Sequence, residues 1–67
     1  MNQFYRILVM FKRGELVTRN RLMILNWVTE NLLDECVKQD LLIEVDKTDI
    51  GEIRYMISEK GIAVRDN

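Results

Sequence analysis

Histidine and proline are missing from this 67-residue chain, which carries one cysteine and three glycines. Without histidine, the commonest zinc ligand and the commonest general base are both gone. The single cysteine, Cys36, excludes an intramolecular disulfide. A chain this short hides only about 60% of its extended surface, so with no staple the remaining usual aid to its core is association with another chain. Long hydrophobic runs are also lacking. The longest, Ile7 to Phe11 and Leu22 to Leu25, fall far short of the roughly 20 residues of a membrane span, so no membrane partner is expected. The first residues show no signal-peptide pattern, which makes the cytosol the expected compartment. What is present, 48% apolar and 31% charged residues, is the composition of a single folded domain over 1–67.

Catalytic chemistry finds little footing. No Gly-rich loop leads into a helix to cradle phosphate. Asp34 and Glu35, adjacent on an expected helix, point about 100° apart instead of converging on a substrate. Cys36 lies on the apolar side with Leu32 and Leu33, which is the place of a core residue rather than a nucleophile. A non-enzymatic protein without metal, cofactor or small-molecule effector is expected.

The net charge of −1 conceals an uneven distribution. Residues 1–29 carry five basic side chains against one acidic, residues 30–53 carry eight acidic against two basic, and the tail carries three basic against two acidic. A basic first half could face nucleic acid, whereas the acidic stretch would resist phosphates wherever it approached them. The plainer alternative is two solvated faces of a small dipolar domain.

Periodicity divides the chain into short elements. Asn2 is positioned to cap a first helix running to about Arg13, whose buried stripe is Phe4, Ile7, Leu8 and Phe11. Gly14 fits as the residue after that helix, with Lys12 and Arg13 in its last turn. Glu15-Leu16-Val17 reads as a brief strand. Thr18 then caps a second helix over Arg19–Trp27, and Thr29 caps a third over Glu30–Gln39 with Leu32, Leu33, Cys36 and Val37 inward. One continuous helix over 19–39 is the competing reading; the adjacent β-branched Val28 and Thr29 favour the break. After Asp40 the period becomes two: Ile43 and Val45 alternate with Glu44 and Asp46, and Ile53, Tyr55 and Ile57 with Arg54 and Met56. A hairpin of about 41–46 and 52–57 follows. Ser58 caps a last short helix from Glu59 to about Arg65.

This order resembles the winged helix-turn-helix domain of small prokaryotic transcriptional regulators. Glu15-Leu16-Val17-Thr18 looks like the family's first strand running into a capped second helix. The stretch from Leu33 to Ile43 looks like its third helix entering the second strand, where the family usually reads Leu-x-x-Leu-x-x-x-Gly-Leu-Ile. Arg54 to Gly61 looks like the family's Arg-Tyr-x-Ile-Thr-x-x-Gly junction. The resemblance covers nearly the whole chain and implies an α+β winged helix: a three-helix core, a C-terminal hairpin wing and a short last helix.

Two departures stand out. Asp40 occupies the usual glycine position, which calls for a different helix ending. The third helix, which the family places in the major groove, exposes Glu30, Asn31, Asp34, Glu35 and Lys38, three carboxylates against one lysine. Base reading by Glu or Asn remains open, but phosphate neutralisation, which supplies most affinity, is weak here.

The resemblance implies double-stranded DNA as a partner, with Thr18, Arg19, Asn20 and Arg21 at the start of the second helix, Asn31 and Lys38 on the third, and Lys47 and Arg54 on the wing. The alternative for these positions is a capped surface helix with solvated cations. The rival function is protein contact, because apolar surface is in excess. Tyr5 and Val9, with Met10 beside them, form a second apolar face on the first helix. Leu22, Met23, Ile24, Leu25, Trp27 and Val28 leave the second helix little polar face. A homodimer through Tyr5, Val9, Met10 and the terminal segment is expected, the alternative being a three-helix core that encloses the second helix.

Overall fold

Three hydroxyl side chains start three helices. Thr18 Oγ1 accepts from the Arg21 N–H at 3.3 Å, Thr29 Oγ1 from the Leu32 N–H at 3.1 Å, and Ser58 Oγ from the Gly61 N–H at 2.8 Å. Each satisfies a donor that the first helical turn leaves unpaired, worth about 1 kcal/mol. The computed structural model describes residues 3–67; Asn2 and its expected capping role lie outside them. The elements are α1 (Tyr5–Leu8), β1 (Val17–Thr18), α2 (Arg19–Met23), α3 (Glu30–Lys38), β2 (Leu42–Lys47), β3 (Ile53–Ile57) and α4 (Glu59–Asp66). The fold is mixed α+β, with four helices and one antiparallel sheet in the order β1-β3-β2.

α1 ends well before Arg13, although its whole stripe of Phe4, Ile7, Leu8 and Phe11 is buried. Past Val9 the bonds shorten to three residues, Met10 N–H to the Ile7 carbonyl and Phe11 N–H to that of Leu8, so the helical ladder ends there. Beyond it, Arg65 of α4 donates to the Phe11 carbonyl at 2.8 Å. The Glu15 N–H turns back to the Lys12 carbonyl at 3.0 Å. Gly14 therefore serves this turn, at φ +77°, and not the helix end.

α2 and α3 are separate helices, and α2 stops at Met23 instead of reaching Trp27. The reason lies in the core, where Leu22 and Val28 are both buried. Six residues apart, they would face about 120° away from each other on one continuous helix. The chain turns between them, closed by Leu25 N–H to Leu22 and Val28 N–H to Leu25 bonds. Trp27 packs against the core with the Arg6 guanidinium 4.1 Å over its ring, a cation–π contact.

α3 ends in the manner the family's glycine would give. Asp40 adopts φ +62°, while the Leu41 N–H bonds to the Cys36 carbonyl and the Asp40 N–H to that of Val37. This is a Schellman ending with aspartate in the left-handed position, so the expected change of ending is absent.

In the hairpin, Leu42 pairs with Ile57 and Glu44 with Tyr55, but Asp46 pairs with Arg54, which leaves Val45 as a bulge. Leu42 takes the core side of β2, so Ile43 beside it faces outward, and Val45 is exposed as well. The alternation holds better on β3, where Tyr55 and Ile57 are buried. The loop is closed by the Thr48–Glu52 pair, with Gly51 at φ +83° and Ile50 at the tip.

Buried side chains of α1, α2 and α3 (Ile7 and Leu8, Leu22, Leu33 and Cys36) share one hydrophobic cluster with the sheet. α1 packs mainly on α4, α3 on β2, and α2 on β1 and β3. α4 reaches its place because Gly61 lies against the Leu41 carbonyl: a Cβ there would come within 2.2 Å of that oxygen and 2.9 Å of Ile57 Cγ1. Gly61→Ala is expected to lower stability by roughly 1–3 kcal/mol through overpacking, read as a lower urea midpoint with an unchanged slope.

Candidate functional site

Pairing of Val17 with Tyr55 and of Thr18 with Arg54 sets the start of α2 beside β3. Arg19, the first residue of α2, then meets three partners. Its Nε donates to the Tyr55 hydroxyl at 2.8 Å, its Nη2 to Asp34 Oδ1 at 3.1 Å, and its Nη1 lies 3.8 Å from Glu30 Oε1. Tyr55 is fully buried, and only 21% of the Arg19 side chain is exposed. Burial opposes the charge on Arg19, but the Tyr55 hydroxyl and the two carboxylates outweigh it and hold the pKa above its ordinary value. Burial likewise raises the Tyr55 hydroxyl, against the pull of Arg19.

The same geometry accounts for the acidic surface of α3. Glu30 and Asp34 face Arg19, and Glu35 accepts from Gln39 Nε2 at 2.9 Å. On the hairpin, Arg54 grips Asp46 with two bonds, Nε to Oδ1 at 2.6 Å and Nη2 to Oδ2 at 2.5 Å. Arg54 thereby holds the Asp46 carboxyl below its ordinary pKa.

Of the residues expected at DNA, Thr18, Arg19 and Arg54 are brought together, and each is already engaged: Thr18 as a cap, Arg19 and Arg54 in ion pairs. Asn20, Arg21, Asn31, Lys38 and Lys47 are exposed. Among the described residues, Arg21, Lys38 and Lys47 have no ion-pair partner. Lys47 pairs with Ile53 at the loop end of the hairpin, one register position from the Arg54–Thr18 pair and two strands across from Thr18.

Of the residues expected at a dimer contact, Tyr5, Val9 and Met10 all stand at the surface. Met10 also lines a groove of about 300 Å³ with Glu15, Val17, Arg21, Leu22, Ile24 and Leu25. Val17 and Leu22 are buried at its base, whereas Ile24 is 80% exposed. Glu15, Ile24 and Leu25 had no assigned role from the sequence beyond a strand, an apolar run and a charge count. The signal for Ile24 and Leu25 is the unbroken apolar stretch Leu22–Leu25, of which only Leu22 is buried.

Cys36 is fully buried, and burial, with the Glu35 charge adding to it, pushes its thiol up to about 11. Among the described residues, no group of three or more Cys, Asp or Glu is placed to hold a metal, and no helix is long and apolar enough to cross a membrane.

Arg19→Ala should lower stability by roughly 1–3 kcal/mol, because the buried Tyr55 hydroxyl loses its partner. Arg21→Ala should change it by less than about 0.5 kcal/mol. Urea unfolding of both variants tests this, and equal effects would contradict the arrangement. A second expectation concerns pH. The unfolded chain loses the Cys36 proton near the ordinary 9.0, while the folded chain keeps it to about 11. Stability therefore falls as pH rises through that window. Cys36→Ala should flatten the fall, measured as the slope of unfolding free energy between those pH values.

Set against family models, curated proteins and solved structures, the chain matches none of them.

Proposed function

We propose that the chain is a winged helix used for protein contact: a small, homodimeric interaction module rather than a reader of DNA sequence. A capped α3 followed by the β2–β3 hairpin, with β1 added to the hairpin's β3 side, is consistent with a helix-turn-helix and its wing. The fold alone assigns no activity. The observation that carries the reading is the internal engagement of Arg19 and Arg54, two of the three arginines expected at DNA, by carboxylates of this same chain. α3 and the hairpin, the elements a winged helix offers to DNA, both present carboxylates beside those arginines. Meanwhile Ile24 and other large apolar side chains stand in solvent, which is the surface chemistry of a protein-contact site.

A second reading, a DNA-binding transcriptional regulator or accessory factor, is favoured by one observation. Arg21, Lys38 and Lys47 are exposed without ion-pair partners among the described residues. Exposed pairs such as Arg54–Asp46 are also weak enough for phosphate to compete with them.

A salt titration of binding to random duplex DNA, run beside a solution mass, separates the two. The interaction module gives a mass near twice the 8.0 kDa of one chain and no mobility shift even at low salt. Binding that weakens steeply with salt, and weakens further in Arg21→Ala on every sequence, establishes the DNA reading instead. A mass of one chain overturns the homodimer.

A further inference from the structure

Resting on the protein-contact reading, we infer that the groove between the end of α1, the approach to β1 and α2 is the self-association site, and that its occupant is the same groove of a second copy. Its shape and its charges both point to that partner. The base is made by Val17 and Leu22, and the walls by Met10, Ile24 and Leu25. Among the described residues, Ile24 is an apolar side chain left four-fifths exposed. A second copy supplies an apolar side chain of the same kind in return.

The polar groups of the groove are one carboxylate, Glu15, and one guanidinium, Arg21. Among the described residues neither is ion-paired, with each other or with any other side chain. A groove carrying one charge of each sign is complementary to itself. Two copies related by a two-fold axis set Glu15 of each against Arg21 of the other, so both pairs form at once around the apolar centre. A partner of uniform charge would satisfy one of these groups and repel the other.

Charge reversal tests this directly, with mass by sedimentation and folding by circular dichroism. The wild-type chain sediments as a dimer. Glu15→Arg alone and Arg21→Glu alone each set two like-charge contacts in the interface, and should weaken dimerisation on the order of 100-fold. An equimolar mixture of the two restores it, because each heterodimer again has two opposite pairs. Ile24→Asp, at a position exposed in the monomer, should fold normally and sediment as one chain. If the reversals or Ile24→Asp leave the wild-type mass unchanged, the dimer uses another face; this inference then falls while the protein-contact reading stands. If the mixture stays monomeric, the reciprocal pairing is overturned. A wild-type chain that is monomeric at every concentration overturns both.

Discussion

The carbonyl of Leu41 is the point on which the rest of the structure depends. It accepts from the Ser58 N–H at 3.1 Å, the Ser58 hydroxyl lies between it and the nearer Asp40 carbonyl, and the bare Cα of Gly61 lies against it. The end of α3, the start of β2, the end of β3 and the start of α4 therefore meet at one peptide group. That meeting fixes the pairing of Leu42 with Ile57, and the ladder above it carries Tyr55 to a place between β1 and β2. Tyr55 is then buried with its hydroxyl toward α2, where Arg19 donates to it. A packing constraint at one end of the hairpin thus decides the fate of a cation at the other.

The uneven charge takes on a different meaning in the folded chain. The basic first half and the acidic second half do not face separate partners; in part they face each other. Arg19 binds Asp34 and approaches Glu30, and Arg13 reaches Glu59. Exposed pairs such as Arg13–Glu59 contribute little, about 0–1 kcal/mol. Arg19 differs because it is mostly covered and hydrogen-bonded to a buried phenol, so removing it strands a polar group. Opposite charge in the two halves thus acts first as scaffolding. What remains for a partner is the set of groups this scaffolding leaves over.

The sequence is most legible where structure is local. Thr18, Thr29 and Ser58 cap because a hydroxyl needs only the N–H three residues ahead. The hairpin and the buried stripe of α1 follow from short periods. Misreadings arise where the deciding partner is distant. α1 stops early, its bonds shortening to three residues at Met10 and Phe11, and Arg65, 54 positions away, then binds the Phe11 carbonyl beyond its end. α2 stops early because Val28 enters the core. The Val45 bulge redirects β2 through its pairing with β3 and not through its own alternation. The bonds of Arg19 to Tyr55 and Asp34 are equally hidden from local sequence, its partners lying 36 and 15 residues away. Asp40 was read as a departure from the family, yet aspartate is one of the few residues that tolerates the left-handed position. Of the groove, the sequence points to Met10 as a dimer contact and to Leu22, Ile24 and Leu25 as excess apolar surface. The rest is assembled by three segments coming together, which no single periodicity reports.

Among the apolar side chains left at the surface, those of the hairpin and of the groove differ in their guards. On the hairpin, Ile43 and Val45 lie along β2, an edge strand of the sheet. That edge carries a bulge at Val45 and the charged Glu44, Asp46 and Lys47, which are the devices that keep sheet edges from pairing with other chains. The groove beside α2 has no such protection. Its apolar centre has one charge of each sign around it, so it repels no particular partner and favours one that carries the same arrangement. For a 67-residue chain whose own core is small, that face offers apolar surface which, on the self-association proposed above, a second copy would add to the core.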